Sequence, residues 1–170
     1  MNAPMNETAT TEGGYANSKM TTETLPNLVS NEGVIGKTFG SHILEYRNLL
    51  TNQVNKEATN QSGGRWLGAS DEWGWYSRKI DLMSEINVYG TTVVSSSLYD
   101  IGIDNRQYAL FQLKPEFINS DGNLIFHYWL KSITSVSRFA YVNSTGISDG
   151  EYVEAAYGQG VGVRPRFLIG

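Results

Sequence analysis

Cysteine is absent from the 170-residue chain, which excludes disulfides, thiolate metal sites and cysteine nucleophiles. Charged residues are also scarce, at 18% with a formal net charge of −4. An acidic chain is poorly suited to nucleic acid, whose phosphates attract clusters of lysine and arginine. No run of about eighteen consecutive apolar residues is present. We therefore expect neither a nucleic-acid partner nor insertion into a membrane.

The remaining composition favours one strand-rich domain. Glycine is abundant, with 18 residues, aromatic residues make up 12%, and proline occurs only four times. This mixture is typical of short strands joined by turns, and a chain of this length buries about 70% of its unfolded surface. Residues 1–14 are polar and aperiodic and are predicted to form a flexible arm or linker. Residues 15–170 are predicted to form the domain.

Helix signals are local and short. Residues 15–31 have rough helical spacing, with a break or a fresh first turn required at Pro26. Residues 79–83 alternate as a short strand. After them, Ser84 is placed to cap a turn of helix that ends at Gly90.

Strand signals are clearest in the last third of the chain. Asp121-Gly122 predicts a hairpin between residues 116–119 and 123–130. Residues 138–143 are predicted to form a strand that ends in the turn Ser144-Thr145-Gly146.

A final strand is predicted over residues 163–169, with Pro165 at an edge or a bulge.

Residues that could support catalysis are few. His42 and His127 lie far apart and belong to no H-E-x-x-H or H-x-H pattern, so ordinary structural histidines are the favoured interpretation. Residues 158–162 resemble a phosphate-binding glycine loop, but a strand pattern follows where such a loop needs a helix. Neither signal predicts an enzyme.

Asp71 and Glu72 lie among tryptophans, as acid and base carboxylates do in a sugar cleft. Adjacent carboxylates on one loop rarely reach opposite faces of a glycosidic bond. A solvated acidic loop is therefore the favoured interpretation, and a glycan hydrolase is the third of our hypotheses.

A cluster of tyrosines and short polar residues lies on or between the last strands. Tyrosine supplies contact area at low entropic cost, and serine, asparagine and glycine adapt their hydrogen bonds, as in recognition loops. Composition supports a polar connection with structural tyrosines equally well. The cluster comprises Tyr141, Asn143, Ser148, Asp149, Glu151, Tyr152, Glu154, Tyr157 and Gln159.

Segments near the end of the chain follow a family pattern. They are Tyr128-Trp129-Leu130-Lys131-Ser132, Arg138-Phe139-Ala140-Tyr141-Val142-Asn143, Gly146 and Gly162-Val163-Arg164-Pro165-Arg166-Phe167-Leu168-Ile169-Gly170. They resemble the W-L-R … F-A-x-V … G … G-V-R-P-x-F ending of C-type-lectin-like domains common in bacteriophages and prophages. Residues 13–20 and 79–90 are also similar to that family, so the likeness covers nearly all of residues 13–170. Lys131 stands where the family usually has arginine.

The resemblance implies an α+β, C-type-lectin-like fold, with short helices packed on small antiparallel sheets and with long loops. It also implies that the late strands display a ligand-binding surface, without catalysis and without a cofactor. Under this interpretation an apolar core fixes the late strands, namely Trp129, Leu130, Phe139, Val142, Phe167 and Ile169. Lectin calcium motifs and the cysteines of the sulfatase-modifying relatives are missing. The predicted ligand-binding residues are Arg138, Tyr141, Asn143, Ser144, Ile147, Asp149, Glu151, Tyr152, Glu154 and Tyr157.

Some members of the resembling family are variable proteins of diversity-generating retroelements, which are rewritten at template adenines. Adenine mutagenesis of an asparagine codon never yields glutamate or glutamine, so Glu151, Glu154 and Gln159 do not fit that origin unless their template codons differ. The compatible positions are Arg138, Tyr141, Ser144, Ile147, Asp149 and Tyr152.

Our first hypothesis is a display domain on a phage or prophage virion, made in the bacterial cytoplasm, that binds a host-surface protein or glycan. The alternative is a structural capsid or tail decoration protein that contacts other virion proteins. A homo-oligomer, in the form of a trimer, is expected by analogy with the way viral adhesins are built.

Overall fold

A computed structural model describes residues 1–55, 61–62, 65–66, 70–95, 106–118, 127–152 and 160–170 of the chain. Within these ranges the α-helices are α1 Leu25–Val29, α2 Val34–Phe39, α3 Glu85–Tyr89 and α4 Ala109–Leu113. The strands are β1 Ile43–Leu44, β2 Tyr46–Val54, β3 Gln61–Ser62, β4 Arg65–Trp66, β5 Ser70–Arg78, β6 Asp81–Leu82, β7 Tyr128–Ser135, β8 Arg138–Val142, β9 Ser148–Tyr152, β10 Pro165–Arg166 and β11 Leu168–Ile169. Single 3-10 turns occupy Tyr15–Asn17, Gly40–His42 and Pro115–Phe117, and a π-helical turn occupies Met20–Thr24.

The described strands pair antiparallel in small sheets. β7, β8 and β9 form a three-stranded sheet in that order, and β2 pairs with β5 as a long two-stranded ribbon. Three further pairs, β1 with β11, β6 with β10 and β3 with β4, are each two residues long. Short helices on small antiparallel sheets confirm the predicted α+β class.

The β7–β8–β9 sheet lies between two apolar clusters. Successive side chains of a strand point to opposite faces, and the burial follows that rule. Trp129 and Phe139 belong to one cluster, which also contains Met5, whereas Leu130 and Val142 belong to the other. The predicted core is therefore correct for these four late-strand residues, each of which is 0% exposed.

Two predicted core residues are not buried. Phe167 is half-buried beside Phe39, with ring centroids 5.2 Å apart, and Ile169 is 55% exposed. The physical reason is the position of β11, which pairs only with the two residues of β1 among the described strands. Residues 163–169 accordingly form two short strands, in place of the single strand predicted.

The structure corrects the expectation that residues 1–14 form an arm or linker. Met5 is 0% exposed and belongs to the first apolar cluster. The Ala3 carbonyl accepts a hydrogen bond from Trp129 Nε1 at 2.8 Å, and the Ala3 amide donates to the Val161 carbonyl at 3.3 Å. The buried Thr11 donates from its amide to the Val136 carbonyl at 2.8 Å. This segment is therefore part of the domain.

The helix signals are mostly confirmed. Ser84 caps α3 in a reciprocal capping box with Asn87, and Gly90 ends the helix in the left-handed region at φ 80°, where glycine carries no steric penalty. The helix expected over residues 15–31 is broken once, after the 3-10 turn Tyr15–Asn17. The π-helical turn Met20–Thr24 then continues directly into α1, which has Pro26 in its first turn.

The hairpin predicted around Asp121-Gly122 is wrong in its first strand. Residues 115–117 form a 3-10 turn, which Pro115 favours because its fixed φ suits the first position of a helical turn. Residues 119–126, including the turn itself, lie outside the described residues.

Candidate functional site

The predicted ligand-binding residues that the structure describes lie on the hairpin formed by β8 and β9. Tyr141 pairs directly with Asp149, and Phe139 pairs with Glu151. Directly paired residues share a face of the sheet, so Tyr141, Asp149 and Glu151 lie on one side. Asp149 is exposed, whereas Tyr141 and Glu151 are half-buried. We call Tyr141, Ile147, Asp149 and Glu151 the hairpin surface.

Tyr141 contacts two aromatic neighbours, Trp129 on β7 and His127 just before β7. The His127 ring stacks on the Tyr141 ring with centroids 5.8 Å apart, and Trp129 meets it edge-on at 6.3 Å. Burial raises the pKa of the Tyr141 hydroxyl, and the Asp149 and Glu151 carboxylates raise that pKa further. The surface thus presents a neutral hydroxyl beside two carboxylates, which suits a partner that supplies hydrogen-bond donors or positive charge.

The turn between β8 and β9 is organised by Asn143. Its Oδ1 accepts hydrogen bonds from the Thr145 amide at 2.9 Å, the Thr145 hydroxyl at 2.7 Å and the Ile147 amide at 3.1 Å. Gly146 has φ 81°, and its carbonyl accepts a hydrogen bond from the Tyr89 hydroxyl at 3.0 Å. The side-chain oxygen of Asn143 therefore serves the turn, while Ile147 projects from it and is 59% exposed.

The other predicted site residues are not part of the hairpin surface. Arg138 pairs with Tyr152 at the far end of the hairpin, and its Nη1 donates to the Gly150 carbonyl at 3.0 Å. Ser144 is a half-buried turn residue. Glu154 and Tyr157 lie outside the described residues.

A buried carboxylate that was not predicted from the sequence binds the start of β9. Glu85 is 0% exposed. Its oxygens accept hydrogen bonds from the amides of Val93, Val94 and Ser95 at 3.0–3.1 Å, from the Ser95 hydroxyl at 2.5 Å, and from the Ser148 hydroxyl at the start of β9. In the sequence Glu85 resembles any acidic residue of a first helical turn, so no local signal separates it.

A second buried carboxylate joins several segments. Asp81 is 1% exposed. Its Oδ1 accepts from the Tyr15 hydroxyl at 2.6 Å, and its Oδ2 lies 3.3 Å from Lys131 Nζ and 3.4 Å from Arg166 Nη2. Burial and the adjacent Asp81 carboxylate raise the pKa of Tyr15. Lys131 supplies a cation here, although arginine is usual at its position in the family that the sequence resembles.

The residues considered for catalysis are spread out. Asp71 and Glu72 are exposed neighbours on β5, and Asp71 accepts a hydrogen bond from Gln53 at 3.1 Å. His42 is exposed, with Nδ1 3.2 Å from the Gly170 carbonyl oxygen. Over the described ranges, histidine, aspartate and glutamate side chains do not form a group of three or more that could hold a metal ion.

Among the residues whose structure is described, none of the helices combines the length and the apolar character needed to cross a bilayer. Comparisons with protein-family models, with curated proteins and with solved structures give no match.

Proposed function

We propose that the chain is a non-enzymatic, C-type-lectin-like binding domain that is displayed on a phage or prophage virion. Its hairpin surface recognises a host-surface protein or glycan. The observation that supports this proposal best is the contrast along the β8–β9 hairpin. Ile147 and Asp149 are exposed, whereas Phe139 and Val142, close to them in the same hairpin, are 0% exposed.

This contrast separates the residues that make contact from the residues that maintain the fold. Substitutions at exposed positions change stability by about 0.5 kcal/mol or less, whereas loss of buried groups costs more. The exposed positions of the hairpin surface, Ile147 and Asp149, can therefore differ between variants of the domain while the sheet stays intact. Arrangement of many copies on one particle raises avidity by about a hundredfold or more over a single site.

The experiment is a cell-binding assay with the purified full chain on candidate host bacteria. Asp149→Lys and Ile147→Asp change the charge and the apolar contact of the hairpin surface without entering the core. The matched control is Leu113→Asp on α4, where the leucine is 77% exposed. We expect both hairpin variants to lose binding and the control to keep it. Equal binding by all variants, or no binding by the unaltered chain, would contradict the proposal.

One observation favours the decoration protein as a second candidate. Apolar side chains are exposed where β1 pairs with β11, namely Leu44 at 45%, Leu168 at 51% and Ile169 at 55%. Exposed apolar patches mark contact sites between proteins. Under this candidate, Leu168→Asp reduces incorporation of the chain into particles or its self-association, whereas Asp149→Lys has no effect. Sedimentation and particle composition measure these two outcomes.

A further inference from the structure

A separate cleft of about 390 Å³ lies between β2 and the C-terminal strands. This volume is within the range of about 300–1,000 Å³ that is typical of small-molecule sites. The cleft shares no residue with the hairpin surface. Its walls combine aromatic rings with an amide and two guanidinium groups, contributed by Tyr46, Arg47, Asn48, Tyr108, Arg166 and Phe167.

One of the guanidinium groups that line the cleft belongs to a buried ion-pair cluster. The Arg166 side chain is only 15% exposed, and its Nη2 lies 3.4 Å from Asp81 Oδ2. The same Asp81 oxygen lies 3.3 Å from Lys131 Nζ. Asp81 therefore fixes the Arg166 side chain in the wall of the cleft. A guanidinium in that wall is a cationic group that an anionic ligand can approach.

A second guanidinium group, that of Arg47, lies at the rim of the cleft. Arg47 is exposed, and its guanidinium lies 5.1 Å from the centroid of the Trp75 ring. The ion pairs found among the described residues include none to Arg47. The ring contact orients the guanidinium through a cation–π interaction, and guanidinium groups bind carboxylates strongly.

Asn48 supplies the independent sign of a ligand. Asn48 is 4% exposed, and its Oδ1 accepts a hydrogen bond from Arg166 Nη2 at 3.1 Å. That bond fixes the amide, and Nδ2 is buried without a hydrogen-bond partner in the described part of the chain. Buried donors are nearly always paired, so a donor in the wall of a cleft points to an acceptor that a ligand brings.

Aromatic rings complete the site. The Arg166 guanidinium lies 5.7 Å from the Tyr46 ring and 5.8 Å from the Tyr108 ring, and it donates to the Tyr108 hydroxyl. Apolar ring surface beside a few fixed polar groups is typical of sites for small ligands. A ligand that matches these walls has a carboxylate, hydroxyl acceptors and an apolar ring edge.

We propose that this cleft binds an acidic monosaccharide. The carboxylate pairs with Arg47 and faces the Arg166 guanidinium, and a ring hydroxyl oxygen accepts from Asn48 Nδ2. The C–H side of the sugar ring contacts the tyrosines. This site is additional to the hairpin surface and does not depend on it.

The test is an NMR titration of the full chain with methyl glucuronide. Methyl glucoside, which lacks the carboxylate, and acetate, which lacks the sugar, are the matched probes. We expect saturable shifts of the cleft residues with the glucuronide and binding weaker by about tenfold or more for the other two. Equal binding of the glucoside or of acetate, shifts confined to other residues, or no saturation with the glucuronide would each overturn the proposal.

Variants locate the binding. Arg47→Gln removes the rim charge, and Asn48→Asp keeps the acceptor for Arg166 while replacing the unpaired donor with a negative oxygen. Lys37→Gln is the charge-matched control, since the Lys37 side chain is 61% exposed in an ion pair with Glu32. We expect weakening of about tenfold for each cleft variant and no change for the control.

Arg47 is exposed, so Arg47→Gln decides the outcome if Asn48→Asp does not fold. Unchanged affinity in a folded cleft variant would refute the assignment. Asp149→Lys is expected to bind glucuronide normally, so failure of this site and failure of the hairpin surface give different results.

Discussion

Glu85 connects two parts of the chain that are far apart in sequence, residues 93–95 and the start of β9. A carboxylate is stable in the interior only where hydrogen-bond donors replace the lost water, and here amide and hydroxyl donors from both segments do so. The position of Ser148, and with it the start of β9, therefore depends on the hydrogen bonds of one buried side chain.

Glu85→Gln is expected to lower the free energy of unfolding by about 3 kcal/mol, because the new NH₂ group faces donors and leaves them unpaired. Urea denaturation measures this loss. Glu116→Gln is the matched control, since the Glu116 side chain is 61% exposed, and its effect should stay within about 0.5 kcal/mol. Equal stability of the two variants would contradict the role given to Glu85.

Tyr141 links the hairpin surface to pH. Burial is the main reason for its raised pKa, and Asp149 and Glu151 add to it. We expect Asp149→Asn to lower that pKa, because one of the two negative charges is removed, while Asp71→Asn on β5 leaves it unchanged. Absorbance of the tyrosinate in a pH titration, compared with Tyr141→Phe, provides the measurement.

The same shift sets a direction for stability. The ordinary pKa of a tyrosine hydroxyl is 10.0, and the pKa of Tyr141 in the native state is higher. Above pH 10 the unfolded chain has therefore released a proton that the native state still holds. The unfolded state then binds fewer protons, so the free energy of unfolding falls as pH rises through that region. This contribution is fully present below pH 10, and Asp149→Asn should reduce the loss.

At the scale of elements, the β8–β9 turn depends on a single side chain. Asn143→Ala removes three hydrogen bonds to the turn and is expected to cost about 1–2 kcal/mol in thermal or urea unfolding. Asn143→Asp keeps the accepting oxygen and should retain most of the stability. If the alanine variant were as stable as the aspartate variant, the turn would not rely on this oxygen.

Elements with local causes could be predicted from the sequence. The cap at Ser84 and the end of α3 at Gly90 follow from contacts within a few residues, and so does the turn at 144–146. The prediction of a strand at 116–119 is wrong because Pro115 favours a helical turn. The prediction relied on the Asp-Gly turn signal and gave no weight to this local preference.

The faces of the hairpin could be predicted only in part. Strand alternation predicts that Tyr141 and Asp149 share a side, but not how far that side is covered. Trp129 on the neighbouring strand β7 and His127 just before that strand partly cover Tyr141, and the periodicity of β8 contains no information about them. Asparagine is common in recognition loops, which is why the sequence predicts a ligand contact for Asn143. Asparagine is equally common in structural turns, and composition does not separate the two roles.

At the scale of the whole molecule, the first residues are part of the core. Met5 is an isolated apolar residue in a polar stretch, so no periodic pattern marks it as buried, and its 0% exposure arises from tertiary contacts alone. The same holds for Glu85 and Asp81, whose partners come from distant segments. Sequence reasoning therefore identified the late strands of the core but not what packs against them.

Met5→Ala is expected to lower the free energy of unfolding by about 2–5 kcal/mol, since it removes a fully buried side chain and leaves a cavity. Val34→Ala is the matched control, because Val34 is 68% exposed. Urea denaturation of both variants gives the comparison. A change for Met5→Ala as small as that of the control would restore the view of residues 1–14 as an independent arm.

The pairings of residues 160–170 have a consequence for synthesis on the ribosome. β10 pairs with β6, β11 pairs with β1, the Gly162 carbonyl accepts from the Trp129 amide and the Val163 amide donates to the Met1 carbonyl. Contacts between distant segments form slowly because long loops must close first. The nascent chain therefore completes its fold only after these residues have been translated and have left the exit tunnel, and until then it exposes apolar surface that chaperones can bind.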